Sequence, residues 1–570
     1  MSTVDWLILV LSLGAVAGYG VWQSRNHKGF DEYVLASRSL PWYQIGLSVM
    51  ATQASAITFI AAPGQAYSDG MRFIQFYLGL PLAVIVLCVS FVPGFTRLRV
   101  YTAYEYLEQR FNPGTRMLTV ILFLFLRAIS TAVSLYAPAL IISYLLHIPI
   151  SLVTVLTGLT VIGYTISGGT RAVSSSQMLQ MFIIFGAMGL AAYQIIHLLP
   201  HGVGFSEAMH VSSAMEKLNA LDLSFNLKAP YTVWGGLIGG FFLQLSYFGT
   251  DQSQVGRYLT GKSAREGQLG LIFNGFLKIP MQFMILLTGV LVFAFFQFNE
   301  PPAWFREDSL LNVRASAQAG ALATLEAERH RLFTAKKAVA MRYITALNNG
   351  NKGLAAVMRP QLFIYHRLSD ENSLNIGKLI QRNDPSAKDN DSNYVFLSFV
   401  LRYLPKGTVG IILAMVFLAG MGSVASAYNA MSSCTVIDIY KRWVNKEASD
   451  SHYLKASRLF TLFWGLVCIL FALYAGRFGN LLEAVNRLGS LFYGTILGVF
   501  LCGFYVKWIR GPAVFTAAIV AQLCVLILYR LDLVHYLWLN AAGALIVVIV
   551  AFVGQRLIFK KVTDFKISAP

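Results

Sequence analysis

Along most of this chain, apolar residues continue without a break for long stretches, separated by short polar segments rich in Arg and Lys. A helix rises about 1.5 Å per residue, so ~20 apolar residues span the ~30 Å hydrocarbon core of a bilayer. The pattern predicts about thirteen spanning helices of that kind. They fall near 4–23, 42–68, 72–96, 115–146, 149–167, 176–199, 231–257, 267–298, 400–438, 457–476, 480–506, 511–530 and 534–558. Continuous runs, as opposed to alternating short ones, exclude an outer-membrane barrel. One segment, 300–393, breaks the rhythm: it is polar and far longer than an ordinary connection. Apolar residues at helical spacing over 310–347, with no Gly or Pro after Gly320, and again around 354–368, predict a helical hairpin there.

The basic residues set the orientation. Arg25, Lys28 and Arg38 follow the first helix, which places that loop in the cytoplasm and the N-terminus outside. Arg97, Arg99, Arg110 and Arg116 agree, as do Arg171, then Arg257, Lys262 and Arg265, then Lys441, Arg442 and Lys446. Lys560 and Lys561 put the C-terminus on the cytoplasmic side, as an odd number of spans requires. The 300–393 segment then lies outside; long loops escape the positive-inside rule despite their charge.

Composition narrows the class. The chain has 570 residues, 56% of them hydrophobic and only 13% charged, with a mean hydropathy of +0.59. That is a polytopic all-α membrane protein. The net charge of +18 is carried in short loops between apolar runs and does not signal nucleic acid. Cys88, Cys434, Cys468, Cys502 and Cys524 sit inside apolar runs without paired spacing, so they read as small core residues. Asp5 before the first apolar run, with no basic leader, predicts a retained helix instead of a cleaved signal.

The stretch 49–67, VMATQASAITFIAAPGQAY, lies at membrane depth yet is small and polar in its middle, at Ala51, Thr52, Gln53, Ala54, Ser55 and Thr58. Lipid offers no hydrogen bonds, so such residues must face protein or a water-filled cavity. Two readings fit: an interrupted helix whose free carbonyls face ions and solutes, or a continuous helix with a small-residue packing face. A second segment, 233–257, carries Gly249, Thr250, Asp251 and Gln252 at similar depth.

The order of several motifs resembles the sodium:solute symporter family. APGQAYSDGMRF and RLRVYTAYEYLEQRF, then SLYAPALII, YTISGGTRAV and FGTDQSQVGRYLTGKSAREG, are similar to its anion- and vitamin-transporting branches. GMGSVASAYNAMSSCTVIDIYKRW and LGSLFYGTILGVFLCG follow in the same order. The resemblance implies a leucine-transporter-like fold of two inverted five-helix repeats, at 42–199 and 231–506, each opening with a broken helix. Residues 1–41 add a helix and a cytoplasmic loop, and 507–570 add the last helices. The implied protein is a multi-pass plasma (inner) membrane symporter. Its partners are Na+, a small-molecule substrate and the lipid bilayer, with no nucleic acid.

By that resemblance the common sodium site takes carbonyls from Ala51, Ala54 and Ala419 and a hydroxyl pair at positions 422 and 423. Here the pair reads Gly422 and Ser423, so one hydroxyl is missing, and a water or the Gly422 backbone is left to replace it. Ser423 has a second reading, as a small residue that lets helices touch. A second sodium site found in some members falls on Gly422, Ala425, Ser426 and Gln177, where the carboxylate and most hydroxyls are gone, so none is expected. Na+ is hard and suits such neutral oxygens.

For the substrate, the candidate residues are Gln53, Ser55, Thr58, Tyr77, Arg127 and Asp251. Arg127, well inside FLFLRAISTAV, suits a carboxylate through a bidentate pair; the equal alternative is a structural ion pair with Asp251. Lys278 reads as snorkelling or structurally paired. Ser55 and Thr58 resemble hydroxyl positions of sialic-acid-transporting members. Tyr77 and Ser253 stand where galactose-transporting members place a glutamate and a gating tyrosine, which disfavours a hexose. The leading expectation is Na+-coupled symport of a small organic anion. The alternatives are a neutral sugar or other polar metabolite, or a sensor on the same fold, whose signalling needs a separate partner because the chain ends at Pro570. No nucleophile, metal cluster or phosphate loop points to an enzyme. The 300–393 hairpin caps the transport mouth or docks an external partner, or is a plain solvated spacer.

Overall fold

The computed structural model describes residues 1–24, 29–229, 231–385, 390–475 and 480–559. Arg25, Lys28, Lys560 and Lys561, used above for orientation, lie outside the described residues. Among the described residues the regular structure is helical, apart from one isolated bridge between Leu40 and Gly261. Ten helices among the described residues are long and apolar enough to cross a membrane.

The chain opens with α1 (Thr3–Ser24) and then α2 (Trp42–Gln53) and α3 (Ala56–Asp69), which are separated by a break. Next come α4 (Leu80–Val86), continued through a wide turn to Arg97, and α5 (Pro113–Leu146). α6 (Ile150–His197) is bent at Gly169, whose φ of 57° and ψ of −155° suit glycine. A second broken pair follows, α7 (Gly240–Thr250) and α8 (Gln252–Tyr258), then α9 (Ala264–Phe298). The polar segment contains α10 (Ala319–Asn348) and α11 (Lys352–Asn383), packed against each other. The second helix runs through Pro360 and well beyond the stretch read from the sequence.

The remaining helices are α12 (Ser392–Tyr403), α13 (Thr408–Cys434), α14 (Asp450–Ala472), α15 (Leu481–Ser490), α16 (Tyr493–Tyr505), α17 (Gly511–Arg530) and α18 (Tyr536–Leu557). The span expected to begin at 400 begins instead at Thr408. Leu404 is extended before Pro405, and Gly407 has a φ of 88°, so the chain turns before α13 can start. The span expected over 480–506 is likewise two helices, parted at Leu491 and Phe492.

Burial identifies the centre. In the most apolar window of α13, 89% of residues are buried, against 22% in α1, so α13 is the post and α1 a flanking helix. α13 packs on α6, α5 and α1; α2 packs on α9 and α6; and α3 packs on α9, α12 and α13. Both broken pairs reach the post, the first through α2 and α3 and the second through α8, which also packs on α2.

One end of the bundle is tied by its basic loops. Arg38 donates to the Arg99 and Val100 carbonyls at 2.8 and 3.0 Å. Arg116 reaches Asp438 at 2.5 Å and Glu108 at 2.6 Å, and Arg442 meets the same Glu108 at 2.6 Å. The α10–α11 hairpin sits against the Phe205–Ala214 helix and the C-terminal part of α9.

Candidate functional site

The break between α2 and α3 frees backbone oxygens. Ala54 N–H still donates to the Met50 carbonyl at 2.8 Å. Ser55 N–H turns back to the Gln53 carbonyl at 3.1 Å, and Thr58 N–H to the Ser55 carbonyl at 3.0 Å. The Ala51 and Ala54 carbonyls thereby lose the amides that would take them in a continuous helix. Both residues are buried, as is Ala419 on α13. Ser423, one turn beyond Ala419, is buried and donates its hydroxyl to the Gly420 carbonyl at 3.1 Å. This donor set of neutral oxygens fits a hard monovalent cation.

Beside it lies a cavity of about 110 Å³. Of the expected substrate residues, Gln53, Ser55, Thr58, Tyr77 and Arg127 all line it, and Ser423 reaches it too. Asp251 does not, which corrects the expectation that it touches substrate. Its side chain is 0% exposed and both oxygens are taken. Oδ1 receives Arg127 Nη2 at 3.0 Å, the Ser253 amide at 2.9 Å and the Ser253 hydroxyl at 2.6 Å; Oδ2 receives the Tyr493 hydroxyl at 2.7 Å. Asp251 is the N-cap of α8, which explains why the second broken pair parts at this residue.

Arg127 is thus shared. Nη2 is held by Asp251 and Ser253, the guanidinium carbon sits 5.7 Å from the Tyr247 ring centre, and Nε is buried without a partner. Among the described residues lining the cavity, Arg127 is the one formally charged side chain. Hydroxyls and amides make up most of the polar remainder.

A polar knot joins α2, α6 and α13 next to the freed carbonyls. Gln177 Nε2 donates to Thr52 Oγ1 at 3.2 Å, the Gly422 carbonyl at 3.0 Å and Ser426 Oγ at 2.8 Å. Its Oε1 accepts from the Ser48 hydroxyl at 2.6 Å. Thr52 and Ser426 lie 3.0 Å apart. An amide N–H group therefore points at the oxygens that a second cation would need.

Residues 33–302 and 381–520 match the profile of the sodium:solute symporter family. The chain belongs to the sodium:solute symporter family. It is a multi-pass membrane transporter that carries a small solute with Na+. A sodium/sialic acid symporter of Aliivibrio fischeri is 23% identical, covering 97% of this chain and 92% of that protein. A sodium/glucose cotransporter of Vibrio parahaemolyticus is 24% identical, covering 89% and 81%. The solved substrate-bound, outward-open structure of a Na+-coupled sialic acid symporter aligns over 98% of both chains with a TM-score of 0.75 at 22% identity, which shows a shared fold.

Several cavity residues of this symporter escaped the sequence reading. Ser130, Thr131 and Ser134 continue from Arg127 at steps of three, four and seven, a polar stripe on one face of an apolar helix. That signal was available. Gln244, Tyr247, Asn486 and Tyr493 arrive from α7, α15 and α16 and carry no comparable local mark. Lys278 does not snorkel: it is 1% exposed, enclosed by the bundle, with its ammonium 5.6 Å from the Tyr77 ring centre.

Proposed function

We propose that this symporter uses an inward Na+ gradient to take up a small organic anion across the plasma (inner) membrane. The observation that carries the anion is Arg127, the one charged side chain lining a cavity otherwise furnished with hydroxyls and amides. Its unpartnered Nε keeps binding capacity for a carboxylate. The names of the sialic acid symporters among its relatives support a sialic-acid-like substrate. Gln53, Ser55, Thr58 and Tyr77 bind the rest of the solute. Na+ sits on the Ala51, Ala54 and Ala419 carbonyls and the Ser423 hydroxyl. The break between α2 and α3 links ion to solute, because its residues serve both.

The architecture belongs to the same reading. Two of the ten long apolar helices, Ala56–Arg97 and Ile150–His197, are 42 and 48 residues, about twice what the ~30 Å core needs. Counting each twice and adding the broken α7–α8 pair brings the ten to thirteen crossings. Inverted repeats at 42–199 and 231–506 then start with the two broken pairs. The end where Arg38, Arg99 and Arg442 are tied is cytoplasmic, which leaves the N-terminus and the α10–α11 hairpin outside.

The Arg127–Asp251 pair favours a second reading, a neutral polyhydroxyl solute, since the cavity's charge is already balanced. Purified protein in liposomes decides between them. Uptake of labelled N-acetylneuraminate driven by an inward Na+ gradient and abolished by a sodium ionophore is the expected result. Uptake that persists with choline in place of Na+ would sink the coupling, and competition by neutral polyols but not by carboxylates would favour the second reading.

A further inference from the structure

We infer that Gln180 supplies the oxygen that Gly422 lacks, so that Na+ in this chain is held partly by a side-chain amide from α6. The inference rests on the sodium site proposed above and adds a ligand to it.

Three observations converge. Gln180 is 1% exposed, and its Oε1 is buried without any hydrogen-bond partner. An orphaned buried amide oxygen is destabilising, so it needs a partner that protein groups do not provide. A Cβ placed on Gly422 would lie 2.3 Å from that same oxygen. Gly422 lies inside the regular α13 helix and has no positive φ, so glycine serves here for space and not for backbone freedom. The oxygen of Gln180 occupies the room that a side chain at position 422 would fill.

The surroundings put position 422, which that oxygen abuts, beside the proposed ion site. Position 422 adjoins Ser423, and Gln177 ties the Gly422 carbonyl to Thr52 on α2, one residue from the freed Ala51 carbonyl. Gln177 is already engaged on both sides, since its Oε1 takes the Ser48 hydroxyl and its amide N–H group serves three acceptors. The two glutamines, nearly one turn apart on α6, therefore differ in role. Gln177 presents N–H and closes one position to cations, whereas Gln180 presents a free carbonyl oxygen. Amide carbonyls are good neutral ligands for hard cations, much as hydroxyls are.

The test uses purified full-length protein and reads radioactive sodium binding together with the thermal shift produced by Na+ over choline. Gln180→Leu should raise the half-saturating Na+ concentration about tenfold while leaving the melting temperature in choline unchanged or higher. Gln180→Ala combined with Gly422→Ser should recover most of the affinity, because a hydroxyl enters the vacated space. Gly422→Ser alone should bind Na+ more weakly, since it displaces Gln180. Should Gln180→Leu fail to fold, Gln180→Glu keeps the oxygen and should bind Na+ more tightly; unchanged affinity there would refute the inference. Wild-type sodium affinity in a folded Gln180→Leu protein would refute it equally. Absence of sodium binding in the unaltered protein would instead remove the sodium site itself, a separate result.

Discussion

Tyr493 donates its hydroxyl to Asp251 Oδ2 at 2.7 Å, on the carboxylate whose other oxygen holds Arg127. That bond ties the start of α16 to the cap of α8, and through Arg127 to the middle of α5. Two helices that line the solute cavity, α5 and α16, are thereby locked to the cap of α8 around one buried anion. Asp251 is the anchor; Arg127 alone of the pair faces the cavity.

Removing one charge should therefore be worse than removing both. Arg127→Gln or Asp251→Asn alone leaves a buried ion uncompensated, a cost on the order of 3–5 kcal/mol, and should cut the folded yield sharply. The double variant should recover expression, as read by detergent-solubilised monodisperse protein. If it also transports neutral analogues while losing carboxylates, Arg127 is a substrate ligand as well as an ion-pair partner.

Arg127→Lys keeps the charge and the pair with Asp251 but loses the planar fork. Expression should stay near wild type, and the KM for a carboxylate should rise about tenfold with little change for a neutral analogue. Equal losses for both would place Arg127 outside recognition.

Ser423→Ala removes the one side-chain hydroxyl at the proposed ion site. The Na+ concentration for half-maximal uptake should rise several-fold, and the coupling ratio should stay at one Na+ per solute because Gln177 blocks the neighbouring position. Current measurements that give two charges per neutral solute would contradict this.

Ala338 is on the exposed face of α10. A cysteine placed there should react with an impermeant maleimide in intact cells. Labelling only after permeabilisation would invert the proposed orientation of every helix after α9.

The hairpin covers a cavity of about 360 Å³ against the bundle, and Lys336 is buried in it. Burial pulls its ammonium down to about 8, helped by Arg329 on the same helix and by Lys217, and opposed by Asp370 on α11. His366, facing the same space, is held neutral by burial, its pKa pulled down to about 2. A base whose pKa falls on folding binds more protons when unfolded, so stability rises with pH between about 8 and the ordinary lysine value. Below that window the full cost of the buried charge is present, on the order of 3 kcal/mol. Lys336→Met should raise the melting temperature at pH 7 and flatten its rise toward pH 10. A lower melting temperature at pH 7 would mean that the ammonium has a stabilising partner.

What the sequence determined by itself was depth and rhythm. Apolar runs of membrane length can only be spanning helices, because lipid leaves a backbone no other way to satisfy its amides. For the same reason the small polar run around Gln53 and Ser55, and the Thr250–Asp251–Gln252 run, had to mark places where the chain leaves lipid, and both are breaks in the structure. The stripe from Arg127 through Ser134 was legible by period alone. Tertiary structure decided who partners whom. Whether Asp251 touches solute or caps α8 depends on Tyr493 and Arg127, which arrive from α16 and α5. Whether the glycine at 422 is a lost ligand or a vacated space depends on Gln180, which comes from α6. Local pattern encodes which face of a helix is polar, since that depends only on neighbours along the chain. The partner that satisfies a buried polar atom is chosen by how distant helices pack, and no spacing along the chain records it.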